Sequence, residues 1–248
     1  MDTGHTVLAV TCLAFEARIA AGHGVRVFCA SERHGLLARI ESAAAGGCCG
    51  IVSFGVAGGL DPTLEPGDQV IASSVVTDER RYHSDEAWTR ALLAALPGSV
   101  HGDISGTDAP VAQPSGKLAL HRAHRTVAVD TESHIAAAVA ARRGIPFAAV
   151  RVVLDPAHRC LPPAALVPLR PDGRADVRAV FGSVRRDPAQ VSSLVRIVAD
   201  AALAWSTLAR GRQRLGHALA FPRAVAPQRD EIAAESAAIL AQPAAGSS

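Results

Sequence analysis

A chain of 248 residues, 49% of them hydrophobic, suffices for one large α/β domain with a sizeable core. Its net charge of +2, with 19% charged and 4% aromatic residues, offers neither a polybasic footprint nor a stacking platform. Nothing here demands a nucleic-acid or anionic-membrane partner, and no nucleic acid is expected; membrane contact could come through the substrate and not through an anchor.

The predicted elements alternate along the chain. Residues 6–10 read as a strand, followed by a helix from about 14 to 21. Residues 25–29 form the next strand and about 35–45 the next helix. The run 42–60 carries no charged residue and is nearly long enough to cross a bilayer, but its six glycines make it a helix end, a buried strand over 51–54 and a tight loop, Gly55-Val56-Ala57-Gly58-Gly59. Strand 69–76, helix 85–96, strand 100–104, helix 115–123, strand 127–129, helix 133–143 and the β-branched strand 147–154 follow. Helices over 176–186 and 189–210 complete the domain, 1–210. Prolines and glycines then interrupt the pattern, so 211–248 reads as a C-terminal appendage.

Strands alternating with helices imply a largely parallel sheet covered on both faces, in which ligands bind at the carboxyl ends of the strands. The five cysteines, Cys12, Cys29, Cys48, Cys49 and Cys160, are odd in number and form no C-x-x-C. They read as small hydrophobes in a reducing cytoplasm, not as disulfides or zinc ligands, and no metal or cofactor is expected. Asp2 and the lack of a basic N-terminal run argue against a signal peptide, and no integral membrane segment is expected. Lys117, the only lysine, is read as a composition bias toward arginine.

Residues at the strand ends carry the chemistry. Glu16 follows the first strand, the glycine loop the third, Asp130-Thr131-Glu132-Ser133-His134 the strand at 127–129, and Asp155 the strand at 147–154. A glycine-rich turn brings backbone N–H groups close to an anion or a sugar, although this one has neither the Walker ending nor G-x-G-x-x-G, and a tight structural turn is its default reading. Acids at strand ends also cap helices, and for Asp130 capping is as good a reading as function.

Taken together, these segments resemble the purine nucleoside phosphorylase/methylthioadenosine nucleosidase superfamily. The resemblance rests on Phe54-Gly55-Val56-Ala57-Gly58-Gly59-Leu60 with Pro66-Gly67-Asp68-Gln69-Val70, on Gly106-Thr107-Asp108-Ala109, on Val129-Asp130-Thr131-Glu132-Ser133 and on Val150-Arg151-Val152-Val153-Leu154-Asp155, in order and at matching intervals. It implies a single three-layer α/β/α domain with a central mixed, mostly parallel sheet. It also implies an enzyme that cleaves purine N-glycosidic bonds and assembles as a homo-oligomer. By the same resemblance Asp155 is the acid beside purine N7, Glu132 holds the ribose hydroxyls over a floor at Thr131, and Glu16 activates water. Gly55, Val56, Ala57 and Gly58 lie along the phosphate or water side. The physics is consistent with these roles. Cleavage builds positive charge on the sugar, which a carboxylate stabilises, and negative charge on the base, which a proton donor relieves.

Several positions depart from the family pattern. Thr131 replaces a Met, Leu154 a Ser and Val56 a Ser. The segment around Arg33 is where a phosphate contact would fall, with Glu32 beside it opposing one and a solvated helix start the competing reading. Phosphate is thus the one candidate co-substrate, and phosphorolysis and hydrolysis both stay open. Asp155-Pro156-Ala157, Leu161-Pro162-Pro163-Ala164-Ala165-Leu166 and Leu169-Arg170-Pro171-Asp172-Gly173-Arg174 are similar to the hopanoid-associated phosphorylases. That branch implies release of adenine from adenosylhopane, with residues 161–169 either lining an apolar channel for the lipid tail or forming a packed loop. The alternatives are a methylthioadenosine/S-adenosylhomocysteine nucleosidase or ordinary purine nucleoside phosphorylase, and a non-catalytic nucleoside-binding protein. His134 reads as a helix-start residue. Tyr82, His83 and Trp88 read as packing residues with the pocket as a second reading.

Overall fold

Apolar β-branched runs and amphipathic helices build eight strands and seven helices in the computed structural model, which describes residues 6–30 and 35–222. The strands are β1 (Val7–Thr11), β2 (Val25–Cys29), β3 (Gly50–Gly59), β4 (Gln69–Val76), β5 (Arg81–His83), β6 (Val100–Gly106), β7 (Ala128–Asp130) and β8 (Phe147–Asp155). The helices are α1 (Ala14–Ala20), α2 (Leu36–Ala45), α3 (Glu86–Ala95), α4 (Pro114–His124), α5 (Ser133–Arg143), α6 (Val177–Arg186) and α7 (Val191–Leu215).

The eight strands form one mixed sheet in the order β2-β1-β3-β7-β6-β4-β5, with β8 pairing both β3 and β4. Parallel pairs join β1 to β2 and β3, β3 to β8, and β6 to β4 and β7. Antiparallel pairs join β3 to β7 and β4 to β5 and β8. The expected mixed, mostly parallel sheet is therefore the observed one. Both faces are covered. Leu36 and Ile40 of α2 and Ala136, Ala137, Val139 and Ala140 of α5 belong to one core cluster. Trp88 and Leu92 of α3 and Ala204, Leu208 and Leu215 of α7 belong to the other. Sheets buried on both faces need near-continuous apolar strands, and β8 meets that need apart from Arg151 and its last residue, Asp155.

Two expectations are corrected. The stretch Gly55–Gly59 is not a loop but the second half of β3. Gly58 and Gly59 pair with Val129 and Ala128 of β7, and Gly58 also with Asp155 of β8 after a bulge at Ala57. Lacking side chains, these glycines let three strands converge on one segment. The domain does not stop at 210. The small-residue and leucine row Ala201, Ala204, Leu208, Gly211 and Leu215 continues the buried face of α7, and Ala218 and Leu219 are buried beyond it. The Leu219 carbonyl accepts a 2.9 Å hydrogen bond from Trp88 Nε1, so Trp88 belongs to the core and not to a pocket. The rest of the expected appendage, 223–248, lies outside the described residues. Finally, Pro188–Leu215 is long and apolar enough, by length and composition, to cross a bilayer. One face of its helix is committed to β8, β3 and α1. The short strand β5, unexpected because Arg81 and His83 are polar and exposed, pairs with the end of β4.

Candidate active site

Glu16, Glu132 and Asp155 line one cavity of about 180 Å³, together with Cys12, Val56, Ala57, Gly58, Thr131 and Leu161 among others. The topology explains the convergence. β1, β3 and β8 run parallel, so the start of α1, the end of β3 and the end of β8 meet at the same edge. β7 runs antiparallel to the last residues of β3, so its own end delivers Asp130, Thr131 and Glu132 to that edge from the opposite direction.

Glu16 is buried in the first turn of α1. Its Oε2 accepts the backbone N–H groups of Cys12 (3.0 Å) and Leu13 (2.9 Å), and its Oε1 accepts Val56 N–H at 2.8 Å. The first two cap the helix; the third ties it to β3. Gly55 is required beneath it, because a Cβ there would lie 2.5 Å from Glu16 Oε1 and 2.9 Å from Arg151 Nη1. Burial raises the Glu16 carboxyl above its usual range, against the opposing pull of Arg151 and the backbone donors.

Arg151 is the hub that the sequence analysis missed. It is 1% exposed. Its Nη2 lies 2.5 Å from Asp130 Oδ2 and 3.9 Å from Glu132 Oε2, and it donates to Ser53 Oγ and, at 3.0 Å, to Ser133 Oγ. Its Nη1 donates to the Val56 carbonyl at 3.3 Å. Burial works against the guanidinium charge, but Asp130, Glu132 and Glu16 more than offset it. Asp130 also accepts Ser133 N–H at 3.1 Å and the Ser133 hydroxyl, so it both partners Arg151 and caps the start of α5.

Glu132 is buried, receives the Thr131 hydroxyl, and is raised first by burial and then by Asp130. Thr131 therefore holds Glu132 as well as facing the cavity. Cys12, not expected at the site, stands between the acids. Burial, Glu132 and Glu16 push its thiol far up, so it stays protonated.

Asp155 closes the opposite wall, beside Gly58, where a Cβ would lie 3.4 Å from its Oδ2. Its partner is Lys117 of α4, which is fully buried. Lys117 Nζ pairs with Asp155 Oδ2 and donates to the carbonyls of Asp155 (3.2 Å), Pro156 (2.9 Å) and Arg159 (3.3 Å). Burial nevertheless lifts the Asp155 carboxyl above the usual range, with Lys117 pulling the other way. Two signals for the missed residues stood in the sequence: a lone arginine inside an apolar strand, and the single lysine of the chain.

Arg33 lies outside the described residues. A larger cleft of about 870 Å³, lined by Tyr82, Asp108, His124, His134 and Arg142 among others, shares only Thr107 with the carboxylate cavity. None of Glu16, Glu132 and Asp155 lines it, so size does not mark the chemistry here. His134 sits in the first turn of α5, with Nε2 3.3 Å from Asp108.

A mixed sheet between helical layers, with buried acids gathered where its strand ends converge, defines an α/β enzyme scaffold with an acid-lined pocket. The chain belongs to the phosphorylase superfamily, whose profile matches residues 19–194, and is an enzyme acting on nucleosides. No curated protein sequence matches it. Among solved structures it is similar to the 5′-methylthioadenosine/S-adenosylhomocysteine nucleosidase of Helicobacter pylori (15% identity, TM-score 0.57, covering 74% of this chain and 99% of that one). It is also similar to the S-adenosylhomocysteine nucleosidase of Streptococcus pyogenes (14%, 0.55, 81% and 98%) and to the futalosine hydrolase of Helicobacter pylori (15%, 0.56, 75% and 100%). At these identities the likeness establishes the fold.

Proposed function

We propose that the protein cleaves the N-glycosidic bond of a purine nucleoside, releasing adenine from one that carries a long apolar 5′ substituent; adenosylhopane fits that description. The observation that carries the reading is the meeting of Glu16, Glu132 and Asp155 in one cavity, with burial holding the Asp155 carboxyl, the proton donor, above its usual range. The solved relatives, nucleosidases and a hydrolase of the same fold, support the reaction class.

In this reading the C1′–N9 bond breaks while Asp155 passes its proton to N7, so that the base leaves neutral. Glu132 accepts the ribose hydroxyls and stabilises the positive charge developing on the sugar. When water is the acceptor, its oxygen bonds C1′ and its proton goes to Glu16. Phosphate in its place would need its own donors, since among the described residues Arg151 and Lys117 are both engaged with acids. The apolar 5′ group is supported by Pro110, Val111, Leu154 and Leu161, which line the cavity beside the acids.

Asp155→Asn should lower the rate of base release by about 10²–10⁴-fold, with a lower melting temperature because the buried Lys117 loses its carboxylate partner. The assay follows adenine release from adenosine, methylthioadenosine and an adenosine bearing a long 5′ alkyl group, with and without phosphate. Wild-type rates in the Asp155→Asn variant would overturn the acid assignment. Preference for the shortest 5′ group would overturn the lipid-tailed substrate. Phosphate dependence identifies the acceptor.

A further inference from the structure

The segment between β8 and α7 borders the cavity through Leu161 and ends in a surface that the described residues leave uncovered. Two contacts pin it beside the site. Leu161, itself a cavity residue, donates its N–H to the Ala112 carbonyl at 2.9 Å, and the Gly173 carbonyl accepts Ala14 N–H at 2.9 Å at the start of α1. The 3-10 turn Pro163–Ala165 packs on α6 and is tied to Gln190 through Ala164 N–H. Gln190 in turn donates to Ser183, locking the end of α6 to the start of α7.

Outward from that corner the chain is apolar where it should be polar. Val177 and Phe181, one turn apart on α6, are 76% and 70% exposed. On α7, Val191, Val195, Val198 and Ala202 recur at helical spacing as an exposed stripe, opposite the row that packs on the sheet. Exposed arginines flank both stripes: Arg178, Arg185 and Arg186 on α6, and Arg196 on α7. Residues 177–202, which carry both stripes, hold four arginines and two aspartates, a net +2 concentrated in 26 residues. One of those aspartates, Asp200, is already paired with Arg159.

We propose that this α6–α7 face docks on the surface of an anionic lipid bilayer, with the apolar side chains among the acyl chains and the arginines at the phosphates. The proposal rests on the apolar-substituent reading above only for its purpose, which is to bring the cavity mouth to a substrate resident in the membrane. A second copy of the chain fits this face less well, because an isologous contact would set the same arginines against one another. Because α7 has its other face fixed to the sheet, it lies on a bilayer and does not cross it.

The test is flotation of the full-length protein with vesicles of equal phosphatidylglycerol and phosphatidylcholine, against vesicles of phosphatidylcholine alone. Binding to the acidic vesicles is expected, weakening as salt is raised above about 0.1 M. Phe181→Ser, Val195→Ser and the pair Arg185→Glu with Arg186→Glu should each reduce it roughly tenfold or more, with adenosine cleavage and melting temperature unchanged. Equal flotation of wild type and variants would overturn the proposal. So would a wild-type dimer that Phe181→Ser dissociates while no protein floats, since a second copy would then cover the face. Vesicle binding without nucleoside cleavage would sink the proposed function and leave the docking surface standing; cleavage without vesicle binding would do the reverse.

Discussion

Lys117 and Asp155 hold opposite demands in one contact. A proton donor must keep its proton near neutral pH, yet a buried ammonium on its carboxylate favours losing it. Burial wins, and the Asp155 carboxyl sits above the usual range in spite of Lys117. The ammonium is retained because it also satisfies three backbone carbonyls of the turn that aims Asp155, those of residues 155, 156 and 159. Lys117→Met therefore has a signed consequence. Activity needs protonated Asp155, so it falls as pH rises through the Asp155 pKa. Removing the neighbouring positive charge raises that pKa further and moves the alkaline fall of kcat to higher pH. The turn loses its donor at the same time, so stability should drop by on the order of 3 kcal/mol, as for a broken buried pair, and the melting temperature with it. An alkaline limb that stays in place, measured by kcat against pH, would show that Asp155 is not the group donating the proton.

At the scale of elements, the site depends on two strands that the sequence reveals unequally. β8 was legible from its β-branched run, and β2, β4 and α5 matched their expected bounds, because periodicity is a local property. The second half of β3 was not legible. Five residues with three glycines read as a turn, and only the long-range pairing with β7 and β8 makes them a strand. Arg151 was hidden for a related reason, since its partners come from β3, β7 and the start of α5. Motifs pointed to Glu16, Glu132 and Asp155; they carried no information on Lys117, which reaches Asp155 from α4, or on Cys12, which lines the cavity just after β1. The whole-chain charge likewise averaged away the arginine-rich corner at α6 and α7. The crowding on β3 yields its own prediction. Gly55→Ala puts a methyl 2.5 Å from Glu16 Oε1, against a carboxylate held by three backbone donors. The overpacking should destabilise by about 1–3 kcal/mol. It should also detach Glu16 from Val56, lowering kcat more than it changes KM. Kinetics indistinguishable from wild type would mean that Glu16 serves only as the α1 cap.

For the whole molecule, the cluster sets a conflict between stability and function that pH exposes. Glu16, Glu132 and Asp155 are each raised by burial, so the folded protein binds their protons more tightly than the unfolded chain does. The stability they contribute is complete below the unfolded carboxyl values, near about 4, and is lost as pH rises through the raised folded values. The fold should thus weaken as pH rises above about 4. Glu132 is the member to test. Arg151 lies 3.9 Å from it but 2.5 Å from Asp130, so the guanidinium is spent mainly elsewhere. Glu132→Gln keeps the shape and an acceptor for the Thr131 hydroxyl while removing the ionisation. The variant should lose ribose binding, read as weaker affinity for a nucleoside analogue, and yet melt higher than wild type at alkaline pH. Each 1 kcal/mol recovered is worth about 2–4 °C in a protein of this size. The gap should close as pH falls toward about 4, where wild-type Glu132 is itself protonated. Thermal melts of both proteins across that pH series decide the matter. A variant less stable than wild type throughout would mean that Arg151 holds Glu132 as a stabilising carboxylate, and that burial does not set its charge.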